Sequence, residues 1–340
     1  MHIRIFARSL ASLVVGLLLS QAALAAPKGA TVTYTVAPAV IDGSKTAQVW
    51  LPYPLSNENQ TITGVTVGGN FTASAVYRDA KSSAVFLHAQ WSDLKEKPVL
   101  TMRFHVTPDF SKGSKLKNSG EPIPADIRSR YLDEAPEGYF RQVAAKITRG
   151  RTSVLEKARA AYDWTIDNTF RDPEVKGCGL GLPGRTMTQG KGGGKCADIS
   201  SVFVALARAA GVPAREVVGL RLAEPKDGEI TSDFHCWAEF YLPGHGWVMV
   251  DPADVRKMML VNKLELKDAE NRKWREFFWN GDDLFRIVLN KDSREVELTP
   301  RQHGEALTYF MYPFGQVDGE TLNFFDPKKF SYKVDLTLDR

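Results

Sequence analysis

Cysteine and histidine are scarce in this chain. Its 340 residues include three cysteines and six histidines, and the spacing between them is not that of a metal-ligand motif. The sequence therefore predicts no metal site, and we expect no cofactor.

An excess of one charge is also missing. Lysine and arginine total 44 against 40 acidic residues, which gives a net charge of +4. A balance this close does not favour nucleic acid or an anionic surface as a partner, because such partners select strongly basic proteins. With 43% hydrophobic residues, the chain can bury a full core.

Long apolar runs are absent beyond the first 25 residues. There, Arg4 and Arg8 precede an apolar run over 10–19, and the small-residue sequence Ala23-Leu24-Ala25 follows it. This arrangement predicts a secretory signal peptide over 1–25, since the run is too short to span a bilayer. Its removal takes away two arginines and no acid, so the net charge falls from +4 to +2. We expect a mature chain without a transmembrane anchor, secreted or exported to a bacterial periplasm.

Short strands dominate the first part of the mature chain. Apolar and polar residues alternate over 31–36, 61–67 and 100–106, with turn-forming residues between these segments. Many short strands without a helical period are typical of a β-sandwich. Residues 109–124 are rich in Lys, Ser, Gly and Pro, which indicates a linker or an exposed crossover.

A single cysteine follows a glycine run and opens a predicted helix. Gly192-Gly193-Gly194 precede Cys196, and the apolar residues after it have helical spacing up to Gly211. Unpaired N–H groups and the helix dipole favour an anion at such a start, so a thiol there loses its proton more easily. A buried structural cysteine behind a flexible loop is the alternative interpretation.

A predicted hairpin brings a histidine and an aspartate into register with each other. His235 lies in the strand 234–241, and Asp251 follows the return strand 247–250. A three-residue loop places His235 opposite Asp251, and a five-residue loop pairs Trp237 with Asp251 and leaves His235 one diagonal away. A loop of even length would put Asp251 against Cys236 on the other face.

Four sequence blocks resemble the transglutaminase-like superfamily. They are GGKCAD over 193–198, ALARAAGVPAR over 205–215, HCWAE over 235–239 and GWVMVDP over 246–252. The resemblance implies an α+β protein in which an N-terminal β-sandwich precedes a papain-like domain, with the Cys helix packed on an antiparallel sheet. It also implies Cys196 as nucleophile, His235 as base and Asp251 as the carboxylate that orients the base.

The domain organisation predicted on this basis has five parts. They are a signal peptide (1–25), the β-sandwich (26–110), a linker with a helical lead-in (111–150), the transglutaminase-like core (151–256) and a β-rich C-terminal extension (257–340).

The implied activity is attack on an amide or peptide carbonyl through an acyl-enzyme, with hydrolysis favoured over cross-linking. We expect a peptide, a protein or a peptidoglycan-type amide as substrate. A noncatalytic peptide- or glycan-binding module on the same fold is the alternative. The backbone N–H of Cys196 is a predicted hydrogen-bond donor to the oxyanion. Gln189 is a weaker candidate for a second donor, and the alternative is that Gln189 is an exposed loop residue without a catalytic role.

The other two cysteines raise a question of pairing. An exported protein meets an oxidising compartment, where a bridge between Cys178 and Cys236 would leave Cys196 free. The strand period is expected to turn Cys236 away from the site. Two buried free thiols are the first alternative, and a Cys178–Cys196 bridge that switches the enzyme off is the second.

Overall fold

The computed structural model describes residues 29–109, 115–280 and 285–339. The predicted signal peptide lies outside these residues. Within them, no helix is both long enough and apolar enough to cross a membrane.

Six strands near the N-terminus supply most of a β-sandwich. Along β1, every second residue is buried, so that one face of the strand packs into the core and the other is more exposed. The predicted sandwich fold is confirmed. The strands are β1 (Ala30–Pro38), β2 (Thr46–Pro52), β3 (Gln60–Gly69), β4 (Ala73–Arg78), β5 (Val85–Ser92) and β6 (Leu100–Pro108).

A group of helices follows and leads to the central cysteine. The third helix begins at a capping box, in which the Ser153 hydroxyl accepts a hydrogen bond from the Glu156 N–H. The last helix of the group begins at Cys196 itself. These elements are α1 (Ala125–Leu132), α2 (Tyr139–Ile147), α3 (Val154–Asn168), β7 (Phe170–Arg171), α4 (Pro183–Thr188), β8 (Gly193–Gly194) and α5 (Cys196–Ala209).

An antiparallel four-stranded sheet lies against α5, as the papain-like fold requires. Its strand order is β12-β11-β9-β13, and Ala238 and Phe240 of the second of these strands share a core with apolar residues of α5. The elements of this part are β9 (Ala214–Leu222), β10 (Gly228–Glu229), β11 (Phe234–Leu242), β12 (Gly246–Val250), α6 (Pro252–Val261), α7 (Ala269–Phe277) and β13 (Phe285–Lys291).

The last strands return to the sandwich. Its two five-stranded sheets have the orders β10-β18-β1-β6-β3 and β17-β16-β2-β5-β4, so strands of the region 257–340 pair with strands of the region 26–110. The predicted domain boundaries stay a prediction. The strands are β14 (Arg294–Val296), β15 (Leu307–Tyr309), β16 (Phe314–Val317), β17 (Glu320–Thr321) and β18 (Phe330–Leu338).

The hairpin between β11 and β12 has the register that was predicted for a five-residue loop. Tyr241 pairs with Trp247 and Leu242 with Gly246, so the register that places His235 directly opposite Asp251 is wrong. The strand extends one residue further than that register assumes, because the tight turn is made by residues 243–245, with Gly244 at a positive φ of 76°. His235 is therefore one diagonal from Asp251, which lies just beyond the end of β12.

Candidate active site

A ring of backbone contacts fixes the start of α5. The Asp198 carboxylate accepts hydrogen bonds from the N–H groups of Leu180 (2.9 Å) and Gly181 (3.0 Å) through Oδ1, and from that of Lys195 (3.1 Å) through Oδ2. The Ala197 N–H donates to the Cys178 carbonyl at 2.9 Å. Asp198 thus ties the glycine-rich loop to the first turn of the helix that carries the cysteine.

Glycine is required at one point of this loop. Gly179 has a φ of +90°, and a Cβ there would lie 1.8 Å from Oδ2 of Asp198. A side chain at this position would therefore both strain the backbone and displace the carboxylate that holds the loop. Sequence reasoning included Asp198 in a motif but assigned it no role.

His235 and Asp251 are in direct contact, although they come from different elements. The Nε2 atom of His235, on β11, lies 2.7 Å from Oδ2 of Asp251. Both residues are buried, and the imidazole stacks on Trp237 with 6.2 Å between ring centroids. Because Asp251 occupies Nε2, Nδ1 is the nitrogen left for a thiol.

Asp251 also caps a helix. It is the N-cap of α6, and its Oδ1 accepts the Asp254 N–H at 2.9 Å. Its Oδ2 is shared between His235 and Arg286, whose Nη2 lies 3.0 Å away. The charges of these two residues outweigh burial, which disfavours the ionised carboxylate, and hold the pKa of Asp251 at about 2.

A second carboxylate and two arginines complete a buried charge network. Oδ1 of Asp254 lies 3.7 Å from Nε2 of His235, and Oδ2 of Asp254 lies 2.7 Å from Nε of Arg221. The Arg286 guanidinium lies over the Trp237 ring at 4.9 Å from its centroid. Sequence reasoning missed Asp254, Arg221 and Arg286. Asp254 lies about one helical turn after Asp251, and this spacing could have indicated that both carboxylates reach the same site. No sequence pattern marks the two arginines.

This network suits an imidazolium better than a metal ion. His235, Asp251 and Asp254 offer ligand atoms within 4.8 Å of one another. However, both carboxylates already pair with arginines, the buried Arg286 and the half-buried Arg221, whose positive charges oppose a cation. The group is therefore best understood as two ion pairs around one histidine.

Cys196 and His235 interact and shift each other's ionisation. Burial opposes ionisation of the Cys196 thiol, but hydrogen bonds from Cys178 and Cys236 and the charge and hydrogen bond of His235 outweigh it, so its pKa lies well below the ordinary value. Burial likewise lowers the pKa of His235, but Asp251, Asp254 and Cys196 raise it to about 9. These shifts favour a thiolate–imidazolium pair over a neutral thiol and a neutral imidazole.

All three cysteines of the chain meet at this point. Cys178, Cys196 and Cys236 are buried free thiols whose sulfurs lie within 4.8 Å of one another. The expectation that Cys236 points away from the site is wrong, because α5 crosses the same face of β11 and brings Cys196 to it. The predicted Cys178–Cys236 bridge stays a prediction, as does the competing Cys178–Cys196 bridge.

Gln189 lies at the end of α4, and its side chain is exposed. Its backbone N–H donates to the Arg185 carbonyl at 2.9 Å. Its suggested part in an oxyanion hole stays a prediction.

The fold and this site define a papain-like protein with a buried cysteine beside a His–Asp pair. A chain from Cytophaga hutchinsonii, described as a proposed cysteine protease, has a similar fold, with a TM-score of 0.53 and 15% identity. The comparison covers 92% of this chain and 98% of that one.

Sequence comparison gives the family. Residues 141–252 match the model of the transglutaminase-like superfamily. An uncharacterized protein of Haemophilus influenzae is 34% identical over an alignment of 311 residues that covers 84% of each chain. YebA, an uncharacterized protein of Bacillus subtilis, is 30% identical over an alignment of 149 residues that covers 40% of this chain and 20% of that protein. The chain belongs to the transglutaminase-like superfamily.

Proposed function

We propose that the protein is a thiol enzyme that attacks an amide or peptide carbonyl through Cys196, His235 and Asp251. The observation that carries the proposal is the 2.7 Å contact between His235 Nε2 and Asp251 Oδ2. It lies next to a cysteine at a helix start, whose pKa is lowered by hydrogen bonds from the two other cysteines and by that histidine. These are the three roles that nucleophilic catalysis requires: a nucleophile, a proton carrier and a group that orients it.

The reaction follows from the ionisation of the pair. The Cys196 thiolate adds to the carbonyl carbon, and the backbone N–H of Cys196 is the donor that stabilises the oxyanion. The His235 imidazolium then gives its proton to the leaving amine, and a thioester remains on Cys196. Neutral His235 next takes a proton from water, which attacks the thioester and releases a carboxylic acid. Asp251 holds the imidazole throughout.

Hydrolysis is the outcome we favour over amine transfer, because water is always present at high concentration. The substrate class is a peptide, a protein or a peptidoglycan-type amide. We also propose that the protein acts outside the cytoplasm, in a bacterial periplasm or as a secreted enzyme. The predicted signal peptide over 1–25 supports this location.

Substrate access requires a movement at the site. Cys196 is 1% exposed and His235 is 6% exposed, so a carbonyl reaches the sulfur only when a covering segment shifts. The loop between β7 and α5 is rich in glycine and directly precedes the nucleophile. We propose that this loop opens for substrate.

The test is a comparison of wild type with Cys196→Ala on peptidoglycan and on protein extracts, with products identified by mass spectrometry. We expect new chain ends in the wild-type sample alone, and one labelled oxygen atom in each new carboxyl group when the water is isotope-labelled. New cross-links without labelled carboxyl groups would indicate amine transfer instead. If both proteins retain the same peptide or glycan and neither changes it, the protein is a binding module.

A further inference from the structure

Four sulfur atoms from separate segments converge beside the nucleophile. Cys178 comes from the loop before α4, Cys196 from the start of α5 and Cys236 from β11, and their Sγ atoms lie within 4.8 Å of one another. The Sδ atom of Met311, from the segment between β15 and β16, lies 3.8 Å from Sγ of Cys236. All four side chains are at least 95% buried.

The geometry fits a small cation held by sulfur. A metal–thiolate bond is about 2.3 Å long, so the sulfurs of a trigonal site are about 4 Å apart. The three thiols already satisfy this spacing within a shift of less than about 1 Å, which side-chain rotation can supply. A disulfide would instead require two of them to approach to about 2 Å.

The chemistry of the donors selects the cation. Three thiols and one thioether are soft ligands, and no carboxylate belongs to this group of sulfurs in the described residues. Hard cations such as Ca²⁺ and Mg²⁺ require oxygen ligands, and Zn²⁺ in proteins is held by Cys, His and carboxylate ligands rather than by a thioether. Thiolate and thioether together are the set that favours monovalent copper.

The surroundings of the four sulfur atoms also favour a monovalent cation over a divalent one. The three cysteines share a hydrophobic core with Phe234, Met311 and Tyr312. Tyr312 hydrogen-bonds to Cys178, and Sγ of Cys178 lies 3.6 Å from the Phe234 carbonyl, to which it donates. In such a site, a monovalent ion held by two thiolates beside the His235 imidazolium leaves no net charge to bury.

We propose that the reduced protein binds one Cu⁺ ion at Cys178, Cys196 and Cys236, with Met311 as a fourth sulfur. Cys196 binds as its thiolate, one of the other two cysteines releases its proton to solvent and binds as the second thiolate, and the third stays a neutral thiol. If Cys196 is the nucleophile, as the proposed function states, the bound ion occupies its sulfur and stops the enzyme. Copper would thus act as an inhibitor at the active site, and its removal would restore activity.

Binding is tested without substrate. The full mature chain is reduced, its three free thiols are confirmed by titration, and Cu⁺ is then offered under anaerobic conditions in competition with a coloured chelator. We expect one equivalent to be withdrawn. X-ray absorption at the copper edge should show sulfur neighbours alone at about 2.3 Å. A nitrogen neighbour, or a stoichiometry other than one, would overturn the four-sulfur assignment.

Variants distinguish a four-sulfur copper site from copper binding by a single reactive thiol. Cys178→Ser should weaken Cu⁺ binding by about 100-fold, and Met311→Leu should weaken it by about tenfold. Met102→Leu is the matched control, because Met102 is equally buried but lies in the sandwich, and its affinity should equal that of wild type. If circular dichroism shows that one of these variants does not fold, Cys236→Ala is measured in its place.

Two outcomes keep this proposal distinct from the proposed function. Affinity that depends on Cys196 alone, with Cys178→Ser and Met311→Leu unchanged, would overturn the copper site and leave the thiol enzyme standing. One tightly held Cu⁺ with the expected losses, in a protein that processes no amide, would support the copper site and remove the proposed function.

Discussion

Asp251 carries two structural tasks with its two carboxylate oxygens. Oδ1 caps α6 through the Asp254 N–H, and Oδ2 contacts both His235 and Arg286. An N-cap normally needs only one acceptor atom, so the second oxygen is free to orient the histidine. The helix start therefore places the carboxylate, and the strand places the imidazole.

The substitution Asp251→Asn separates these tasks. The amide oxygen can still cap α6, but the negative charge that holds the imidazolium is lost. We expect kcat to fall by about 10⁴-fold, with the same secondary structure by circular dichroism and a lower melting temperature, since the ion pair between Arg286 and the Asp251 carboxylate is lost. An unchanged kcat at saturating substrate would remove Asp251 from the mechanism.

The Cys196–His235 pair makes a second prediction about stability and pH. In the folded protein the pair holds one proton, on His235, whose pKa is about 9. In the unfolded chain it also holds one proton between about pH 6.5 and 8.5, on the cysteine. Because folding then neither binds nor releases protons at the pair, its contribution to stability is constant in this range.

In Cys196→Ala only the histidine titrates. Its pKa is still raised in the folded state by Asp251 and Asp254, so its stabilisation is complete below about pH 6.5 and is lost as the pH rises towards the folded pKa. The loss should reach at most about 1.4 kcal/mol per pH unit relative to wild type. Urea unfolding of both proteins across this range measures it, and parallel curves for the two proteins would contradict the ion pair.

At the scale of elements, one carboxylate ties part of the loop before α5 to the helix start. Asp198 accepts the N–H groups of Leu180 and Gly181 through Oδ1. Replacement by alanine leaves three buried or half-buried N–H groups, those of Leu180, Gly181 and Lys195, without this acceptor, at about 1 kcal/mol each.

We therefore expect Asp198→Ala to speed hydrogen exchange at Leu180 and Gly181 and to speed alkylation of Cys178. Asp172→Ala is the matched control. Asp172 lies at the start of the same loop and accepts the Glu174 N–H at 2.9 Å, so its removal should change exchange only there. Equal exchange at Leu180 in wild type and Asp198→Ala would show that other contacts hold the loop.

Elements with a local signal could be predicted from the sequence, and contacts between distant elements could not. The helix at Cys196 and the strands around His235 follow from periodicity, and the capping box at Ser153 from two residues. For the hairpin, the sequence left the registers for loops of three, five and an even number of residues open. The position of the turn decides between them, and it depends on how far β11 extends. Arg286 reaches Asp251 only because β13 joins the sheet beside β9, a pairing that no local pattern encodes. Cys236 was misplaced because the period gives the face of a strand but not the element packed on it.

At the scale of the whole molecule, β18 joins the two parts of the chain. It pairs with β1 of the sandwich over nine residues and with β10, which precedes the strand of His235. A second link is made by Gln60, whose side chain exchanges hydrogen bonds with the backbone of Val288 on β13 (2.9 and 2.8 Å). The sandwich therefore supports the sheet that carries the site.

Shortening a buried side chain of β18 should speed hydrogen exchange both in the sandwich and in the strand β10 that precedes the strand of His235. Leu336 is 1% exposed, and Leu336→Ala should lower the free energy of unfolding by about 2–4 kcal/mol. Hydrogen exchange should become faster in β1 and in β10 alike. Thr337→Ala, on the exposed face of the same strand, is the control and should change little. Faster exchange in β1 alone would mean that β18 does not couple the two parts.

The central claim is that His235 holds Cys196 as a thiolate near neutral pH. Its most direct test is the rate of alkylation of Cys196 by iodoacetamide as a function of pH, followed by mass spectrometry with Cys178 and Cys236 as internal references. His245→Ala is the matched control, since His245 is an exposed histidine in the turn of the same hairpin. We predict rapid alkylation of Cys196 at about pH 6, well below the ordinary thiol range, in wild type and His245→Ala, and its loss in His235→Ala. Alkylation that rises only near about pH 8.5, at the same rate with and without His235, would contradict it.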